Sequence, residues 1–522
     1  MAAAVSLDLT GPDGHKTTAE ADFLIVACDP TLLPMDRTPD ESRVFDALTN
    51  FTFHTFALRV KVPTGKVGQD GKPSFGVVLR PPMSPSEMDG RIYGFRNETA
   101  KQYTLEAANG MTHNYVVVYR LWNGDAPDQT AKQDEDDLKK DLPKLEWWPF
   151  GADFDVVGSL KTPYFQHFDV DHVKAGLPWD YLALQGQNNT AYVHGSTCFE
   201  SVLTIWQYIG LLFGSDYAPK GQIQLPEDRS SRIIILGAGV SGILMAVRLQ
   251  ELGYTKVTLI EKNAIPHDDD TLIYGKTHSL VFEDLKPHSS YPNAQEPTVC
   301  ELGTCYLSPS YNNLLIYLDQ RLAAAGKPKM APPRGFQVRP GVAGNFRGIV
   351  VPGKDKPEPF DDFVYGPAKE ILKGVKLPEG DKEKLEELAI LFEAGEYFSA
   401  QLASMGTQLP MPTRPLPEPQ CSQTYQQFVD ANNLGLLEGI LLYSYSIQGY
   451  GPMISIPAFY GMVWITDTLI LGEMTNLIAD EPLVTFFPEG WGEAWRRLSA
   501  NMKIEDGVTV TQIRRRGVTG TA

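Results

Sequence analysis

A chain of 522 residues is too long for a single hydrophobic core, so two lobes sharing one ligand cleft are expected. Its 46 Lys and Arg against 64 Asp and Glu give a formal charge of −18, which argues against a nucleic-acid scaffold and against adhesion to anionic lipid. Five Cys, at 28, 198, 300, 305 and 421, have neither the number nor the spacing of a disulfide framework or a metal site. With no signal peptide readable at the N-terminus, they fit a reducing cytoplasm.

In chain order, residues 4–10 (AVSLDLT) alternate apolar and polar and predict a strand, with GPDGHKTTA as the turn after it. Residues 21–28 (ADFLIVAC) read as a buried strand ending in Asp29-Pro30. The charge run 134–141 (DEDDLKKD) is a solvated loop or helix face. Residues 190–201 (TAYVHGSTCFES) predict a strand and a small-residue turn feeding a helix over 202–213, and 214–231 reads as a polar linker.

The strongest local signal spans 232–263 (RIIILGAGVSGILMAVRLQELGYTKVTLIEKN). Ile233 to Leu236 have the branching of a buried parallel strand, Gly237, Gly239 and Gly242 follow, and a helix-forming run leads to a second strand ending at Glu261. Gly237 permits the tight turn, Gly239 lets a pyrophosphate approach the backbone, and Gly242 lets helix and strand pack closely. Glu261 is placed to accept hydrogen bonds from ribose hydroxyls. Together these predict a dinucleotide site at the N-terminus of the helix.

Beyond 312 the pattern is helical and aromatic. A Lys/Glu-rich helix is predicted within 374–411, five prolines from Pro410 to Pro419 form a stiff connector, and helix resumes over 425–442. Residues 444–460 (SYSIQGYGPMISIPAFY) break it beside several aromatic residues. No run reaches eighteen apolar residues, so no membrane span is expected. Finally, 508–514 (VTVTQIR) is a short alternating strand. Joined tail to head, this strand and that at 4–10 would complete one nucleotide-binding domain. The order of these strands resembles that of an FAD-binding domain, which implies an α/β architecture: a Rossmann-like FAD-binding domain in circularly permuted order with a mixed-sheet substrate domain and helical cap. Its segments are 1–30, 186–213, 232–311 and 486–522 for the FAD-binding domain, 214–231 for the linker, and 31–185 with 312–485 for the substrate domain and cap.

Read in that order, the chain resembles the flavin amine oxidase superfamily over most of its length, and within it the FAD-dependent polyunsaturated fatty-acid double-bond isomerases of the linoleate isomerase type. Residues 274–279 (YGKTHS) resemble the second glycine-containing flavin motif, 301–311 (ELGTCYLSPSY) the turn past the isoalloxazine, 486–498 (FFPEGWGEAWRRL) the return to the flavin domain, and 189–201 the closing flavin motif. The chain departs from the family in having Tyr274 where a second glycine is common, and Gly195-Ser196 where Gly-Glu is common, with Glu200 a substitute from the next turn.

The resemblance implies FAD held by Gly237, Gly239, Gly242, Glu261, Lys276, His278, Ser196 and Glu200, with His194 near the flavin as proton donor or polar partner. It implies hydride abstraction to flavin N5 and return at another carbon, shifting the double bonds of a polyunsaturated fatty acid or similar polyene. Aromatic surface would steady the delocalised cation. Tyr450, Tyr443 and Tyr306 are the candidate walls, with Tyr445, Phe459 and Tyr460 beside them, although each alone is an ordinary core residue. Arg334 or Arg339 would hold a substrate carboxylate by its planar fork, Arg334 being the better match. The alternative is a FAD-dependent oxidase or desaturase of an amine or apolar polyene. The expected partner is thus a long apolar small molecule bearing a carboxylate, and the sequence leaves the oligomeric state open.

Overall fold

The computed structural model describes residues 4–61, 76–103, 112–215, 221–266, 270–283, 297–335, 347–351, 354, 356–360, 363, 407–408, 411–412, 422–432, 434–435, 438–464, 484–516 and 518. Arg339 and most of the helix expected within 374–411 lie outside the described residues.

In chain order the strands are β1 (Val5–Thr10), β2 (Lys16–Ala21), β3 (Phe23–Val26), β4 (Thr49–Lys61), β5 (Val77–Leu79), β6 (Asp89–Asn97), β7 (His113–Asn123), β8 (Phe154–His167) and β9 (Thr190–Tyr192). They continue with β10 (Arg232–Leu236), β11 (Lys256–Ile260), β12 (Thr271–Tyr274), β13 (Thr277–Phe282) and β14 (Thr298–Glu301). Short strands follow: β15 (Arg334–Gly335), β16 (Arg347–Ile349), β17 (Glu358–Pro359), β18 (Thr407–Gln408), β19 (Met411–Pro412), β20 (Thr485–Phe486) and β21 (Ile504–Glu505), before the longer β22 (Thr509–Arg515).

The sheet that organises the molecule has the order β21-β11-β10-β3-β9, and every pairing in it is parallel. Parallel strands covered on both faces favour continuous apolar runs. Ile233 to Leu236 and Phe23 to Val26 are buried throughout. The helices Val202–Phe213 and Val240–Glu251 pack on each other beside this sheet. Strands that enter it thus come from both ends of the chain and from its middle.

A seven-stranded mixed sheet, β17-β16-β5-β6-β7-β4-β8, unites residues from 49–167 with residues from 347–359. The antiparallel meander β12-β13-β14 lies against it, and Leu280, Cys300 and Leu302 share a core with Ala57, Tyr93 and Val117. Gly158 packs beneath Leu280, whose Cδ1 would stand 2.4 Å from a Cβ there. Among the described residues no helix is long and apolar enough to cross a membrane.

The third sheet, β2-β1-β22, joins the two ends of the chain. Val5 faces Arg515 and Leu9 faces Val510 in antiparallel register, with a bulge at Asp8/Leu9, and Arg516 N–H donates to Ala4 O at 2.9 Å. Beneath this seam Arg515 is fully buried and grips Glu41 bidentately at 2.6 and 2.7 Å and Asp36 at 3.0 Å. Glu41 also caps the helix Pro39–Phe45 through Thr38 N–H and accepts the Tyr192 hydroxyl at 2.7 Å. Burial alone would push its carboxyl up. Arg515 and the Thr38 N–H more than offset this and hold it below the usual glutamate range.

Truncating one partner of a buried ion pair strands the other charge. Arg515→Ala should therefore cost about 3 kcal/mol at neutral pH, read as a lower midpoint in denaturant. Because Glu41 is depressed, the pair stabilises the fold above the ordinary value of 4.5 and is lost as pH falls, so the penalty should shrink in acid.

Candidate functional site

The C-terminal ends of β10, β11, β3 and β9 open on one cleft, the position where parallel α/β sheets bind ligands. Gly237 adopts φ +99°, and its N–H donates to Ile260 O at 2.8 Å, which fixes the turn after β10. Gly239 then caps the helix Val240–Glu251 without any side-chain hydrogen bond, leaving the first N–H groups free for an anion. A Cβ on Gly242 would lie 2.0 Å from Gly237 O, so helix and turn touch backbone to backbone. Glu261 accepts from Ala238 N–H at 2.8 Å and from Asn263 N–H at 3.0 Å, bracing the turn at the tip of β11.

The cleft has a volume of about 530 Å³ and is bounded by Cys28 and Asp29 after β3, by His194 and Gly195 after β9, and by Val508 to Val510 of the chain's tail. Its donors, its missing Cβ atoms and its carboxylate are what a dinucleotide's pyrophosphate and ribose require. The meander closes the far wall. A Cβ on Gly275, which has φ +66°, would stand 3.1 Å from Gly239 Cα, so the β12–β13 hairpin rests directly on the glycine-rich turn.

A second cavity of about 170 Å³ adjoins the cleft. Leu160, Thr162, Glu200, Ser201, Val202, Lys276 and Thr304 line both. Its walls are aromatic: Phe53, Tyr93, Tyr119 and Tyr164 from the large sheet, with Tyr306, Tyr450 and Trp464. Tyr164 and Tyr450 stack at 5.5 Å with 10° between their planes. Three of the tyrosine hydroxyls are committed to main-chain carbonyls. Tyr93 donates to Ser446 O at 2.8 Å and to Ile447 O, Tyr164 to Gln448 O at 3.1 Å, and Tyr450 to Glu200 O at 3.0 Å. Burial pushes all three phenols well up. They offer ring faces rather than protons.

Four buried ionisable groups cluster at this wall. Arg96 of β6 lines the cavity and stands against the rings of Tyr119 and Tyr306 at 5.7 and 5.4 Å. Its Nε donates to Glu98 at 2.7 Å, and its Nη2 donates to Glu98 and, at 2.7 Å, to Glu301 O, so none of these three bonds uses Nη1. Glu98 also pairs with Lys101 at 2.7 Å. Burial pushes Glu98 up, but the two cations prevail and hold it below the usual range. Glu301 accepts from Trp491 N–H at 2.6 Å and from the Ser279 hydroxyl at 2.8 Å, and burial raises its carboxyl to about 7. His194 accepts the Ser196 N–H through Nδ1 at 3.3 Å, which puts its proton on Nε2. Burial, reinforced by Lys276, lowers this imidazole to about 3, so it is neutral at pH 7. Among the described residues no group of three or more His, Cys, Asp or Glu is arranged to hold a metal ion.

The structure gathers Gly237, Gly239, Glu261, Lys276, His194 and Glu200 around the cleft, and Tyr306 and Tyr450 around the second cavity. Gly242 packs behind the turn. Others lie elsewhere than expected. Ser196 is buried against Tyr181 and His194 and does not line the cleft. His278 also lies off the cleft, because strand alternation turns the neighbouring Thr277 toward it. Arg334 is exposed on β15, paired in register with Phe486, and lines neither cavity. Tyr445, Phe459 and Tyr460 are packed into the core. The side chain of Tyr443 lies outside the described residues. Sequence reasoning missed Arg96, Tyr93, Tyr119 and Tyr164. The available signal was the run Arg96-x-Glu98-x-x-Lys101, three charges where an apolar strand meets a helix.

No protein-family model matches the chain, and no curated protein matches it by sequence. Among solved structures, a CLA-producing fatty acid isomerase from P. acnes is 21% identical, with a TM-score of 0.26 over 37% of this chain and 44% of that one. A putrescine oxidase bound to putrescine is 15% identical, with a TM-score of 0.33 over 54% and 56%. Its triple mutant gives 16% identity and a TM-score of 0.32. The chain thus spans about half the length of the structures it matches, a likeness too partial to bear on the site.

Glu301 provides a pH test of the buried cluster. A carboxyl raised from 4.5 to about 7 stabilises the fold at low pH, and that stability is lost as pH rises through 7. Glu301→Gln keeps an acceptor for Trp491 N–H and has no charge to desolvate. Between pH 4.5 and 8 the variant should gain about 3 kcal/mol relative to the parent protein, measured by denaturant unfolding across pH.

Proposed function

We propose that the protein is a FAD-dependent oxidoreductase that takes hydride from a long apolar substrate, a polyene rather than an amine. The observation that carries this reading is the adjacency of the two cavities: a glycine-rich anion cradle and an aromatic chamber share a wall that includes Glu200 and Lys276. In this reading Gly237, Gly239 and the first N–H groups of Val240–Glu251 hold the pyrophosphate, Glu261 the ribose, and Lys276 stands at the flavin end. FAD bound there supplies a hydride acceptor.

The residues of the chain do the rest. The faces of Tyr164, Tyr306 and Tyr450 stabilise positive charge that develops on a substrate carbon. The packed rings exclude water from the reacting atoms. Lys276 is neutralised by Glu200, so Arg96 is the cation of the chamber wall, and it suits a neutral or carboxylate-bearing chain better than a cationic amine. Arg96 replaces Arg334 as the anchor for such a carboxylate, since it lines the cavity and has a guanidinium nitrogen outside its bonds to Glu98 and Glu301.

A second reading is the redox-neutral isomerase, which shifts double bonds of a polyunsaturated fatty acid by returning the hydride at another carbon. One observation favours it. The phenols of Tyr93, Tyr164 and Tyr450 are bonded to carbonyls, and a reaction that moves only hydride needs none of them as acid or base. The segments 1–30, 186–213, 232–311 and 486–522 are read as one FAD-binding domain in circularly permuted order, with 214–231 as linker and 31–185 and 312–485 as substrate domain and cap. Supporting this, strands from each of the four segments share the parallel sheet, and β1 pairs with β22.

Anaerobic incubation of FAD-loaded protein with linoleic or arachidonic acid separates the readings. Flavin that bleaches and recovers its colour only with oxygen identifies the oxidoreductase. Conjugated-diene absorbance at constant flavin colour identifies the isomerase, and protein that takes up no FAD refutes both. Arg96→Lys, which keeps a cation against Glu98 but removes Nη1, should weaken binding of the free acid about tenfold and leave the methyl ester nearly unchanged, as read by titration of the flavin spectrum. Equal weakening of acid and ester would remove Arg96 from the carboxylate role.

A further inference from the structure

We propose that Glu200 is a positioning residue that couples the two cavities, one carboxylate oxygen neutralising Lys276 and the other holding the backbone of Phe165 in a left-handed turn; the Lys276 half of this rests on FAD occupying the cleft. Glu200 lies where the closing turn meets the helix Val202–Phe213, and it lines both cavities. Its Oε1 pairs with Lys276 Nζ, its Oε2 accepts the Phe165 N–H at 2.5 Å, and its carbonyl accepts the Tyr450 hydroxyl at 3.0 Å.

Phe165 explains why both oxygens matter. Besides Asn188 and Asn189, it is the described non-glycine residue with positive φ, at 48°. Asparagine tolerates that region, whereas a bulky residue stays there only when its surroundings hold it. The register of β4 against β8 slips at this point, pairing Phe51 with Tyr164 but Thr49 with His167, which frees the Phe165 amide from the ladder. The turned ring packs against Tyr450 at 5.2 Å and Phe199 at 5.1 Å, and Phe199 stacks on Trp464 at 5.2 Å. Tyr450 and Trp464 are walls of the aromatic chamber. One carboxylate thus sets the charge at the junction and the shape of the chamber floor.

Two variants divide these roles. Glu200→Gln retains an oxygen for the Phe165 N–H and uncovers the charge of Lys276, whereas Glu200→Ala loses both. In FAD-loaded protein, Glu200→Gln should tighten sulfite binding to the flavin about tenfold, because uncovered positive charge favours the anionic adduct. Glu200→Gln combined with Lys276→Met should return it to the parent value. Amide exchange in the peptide spanning 162–168, measured without FAD, should be unchanged in Glu200→Gln and faster in Glu200→Ala. Should Glu200→Ala fail to fold, Glu200→Asp, whose carboxylate is withdrawn from the amide, takes its place. Unchanged sulfite affinity in Glu200→Gln overturns the Lys276 role, and unchanged exchange in Glu200→Ala overturns the Phe165 role. Parent protein that takes up no FAD refutes the cofactor reading and with it the Lys276 role, while exchange still decides the bond to Phe165.

Discussion

The arrangement of both cavities depends on how closely two stretches of main chain meet at Gly239 and Gly275. One belongs to the turn after β10 and the other to the hairpin that carries Lys276, and their Cα atoms face each other with no side chain between them. That contact sets the depth of the cleft and the reach of Lys276 toward Glu200. Gly242 and Glu261 serve the same constraint from behind, one by letting the helix sit on the turn and the other by accepting the Ala238 N–H. A side chain at either glycine would separate the two stretches of main chain and fill the cleft between them.

What could be read from the sequence was what is local. β10, the glycine turn, the helix and β11 follow one another directly, so spacing alone places Glu261 at the tip of β11, on the edge of the cleft. β3 was legible for a different reason: a parallel strand buried on both faces leaves a continuous apolar run, here Phe23 to Val26. The second cavity was illegible because β6, β7 and β8 show which residues alternate, not which face meets a neighbour. Arg96, Tyr93, Tyr119 and Tyr164 become a site only when the meander and the Ser446–Tyr450 break fold over that face. His278 and Ser196 were misplaced by the same ambiguity at the scale of one or two residues. A motif names a turn, but the pleat decides which of its residues looks into the cleft.

The chamber combines features that would be costly apart. Arg96, Glu98, Lys101 and Glu301 are withdrawn from water, which is tolerable only because each ion has a partner or a set of donors. Clustering them behind an aromatic wall leaves rings, not charges, as most of the surface a ligand meets. The tyrosines achieve something similar by spending their hydroxyls on main-chain carbonyls, which orients each ring and makes the phenols poor proton donors.

The parallel order of β11-β10-β3-β9 also bears on biosynthesis. Phe23 to Val26 leave the ribosome long before Arg232 to Leu236, the neighbours they need on one side, and well before Thr190 to Tyr192 on the other. An apolar, β-prone segment must therefore wait without its hydrogen-bonding partners, and loop closure over such separations is slow. Chaperone dependence and aggregation of interrupted chains are the natural liabilities of this topology, and both should be most severe in nascent polypeptides that end short of β10.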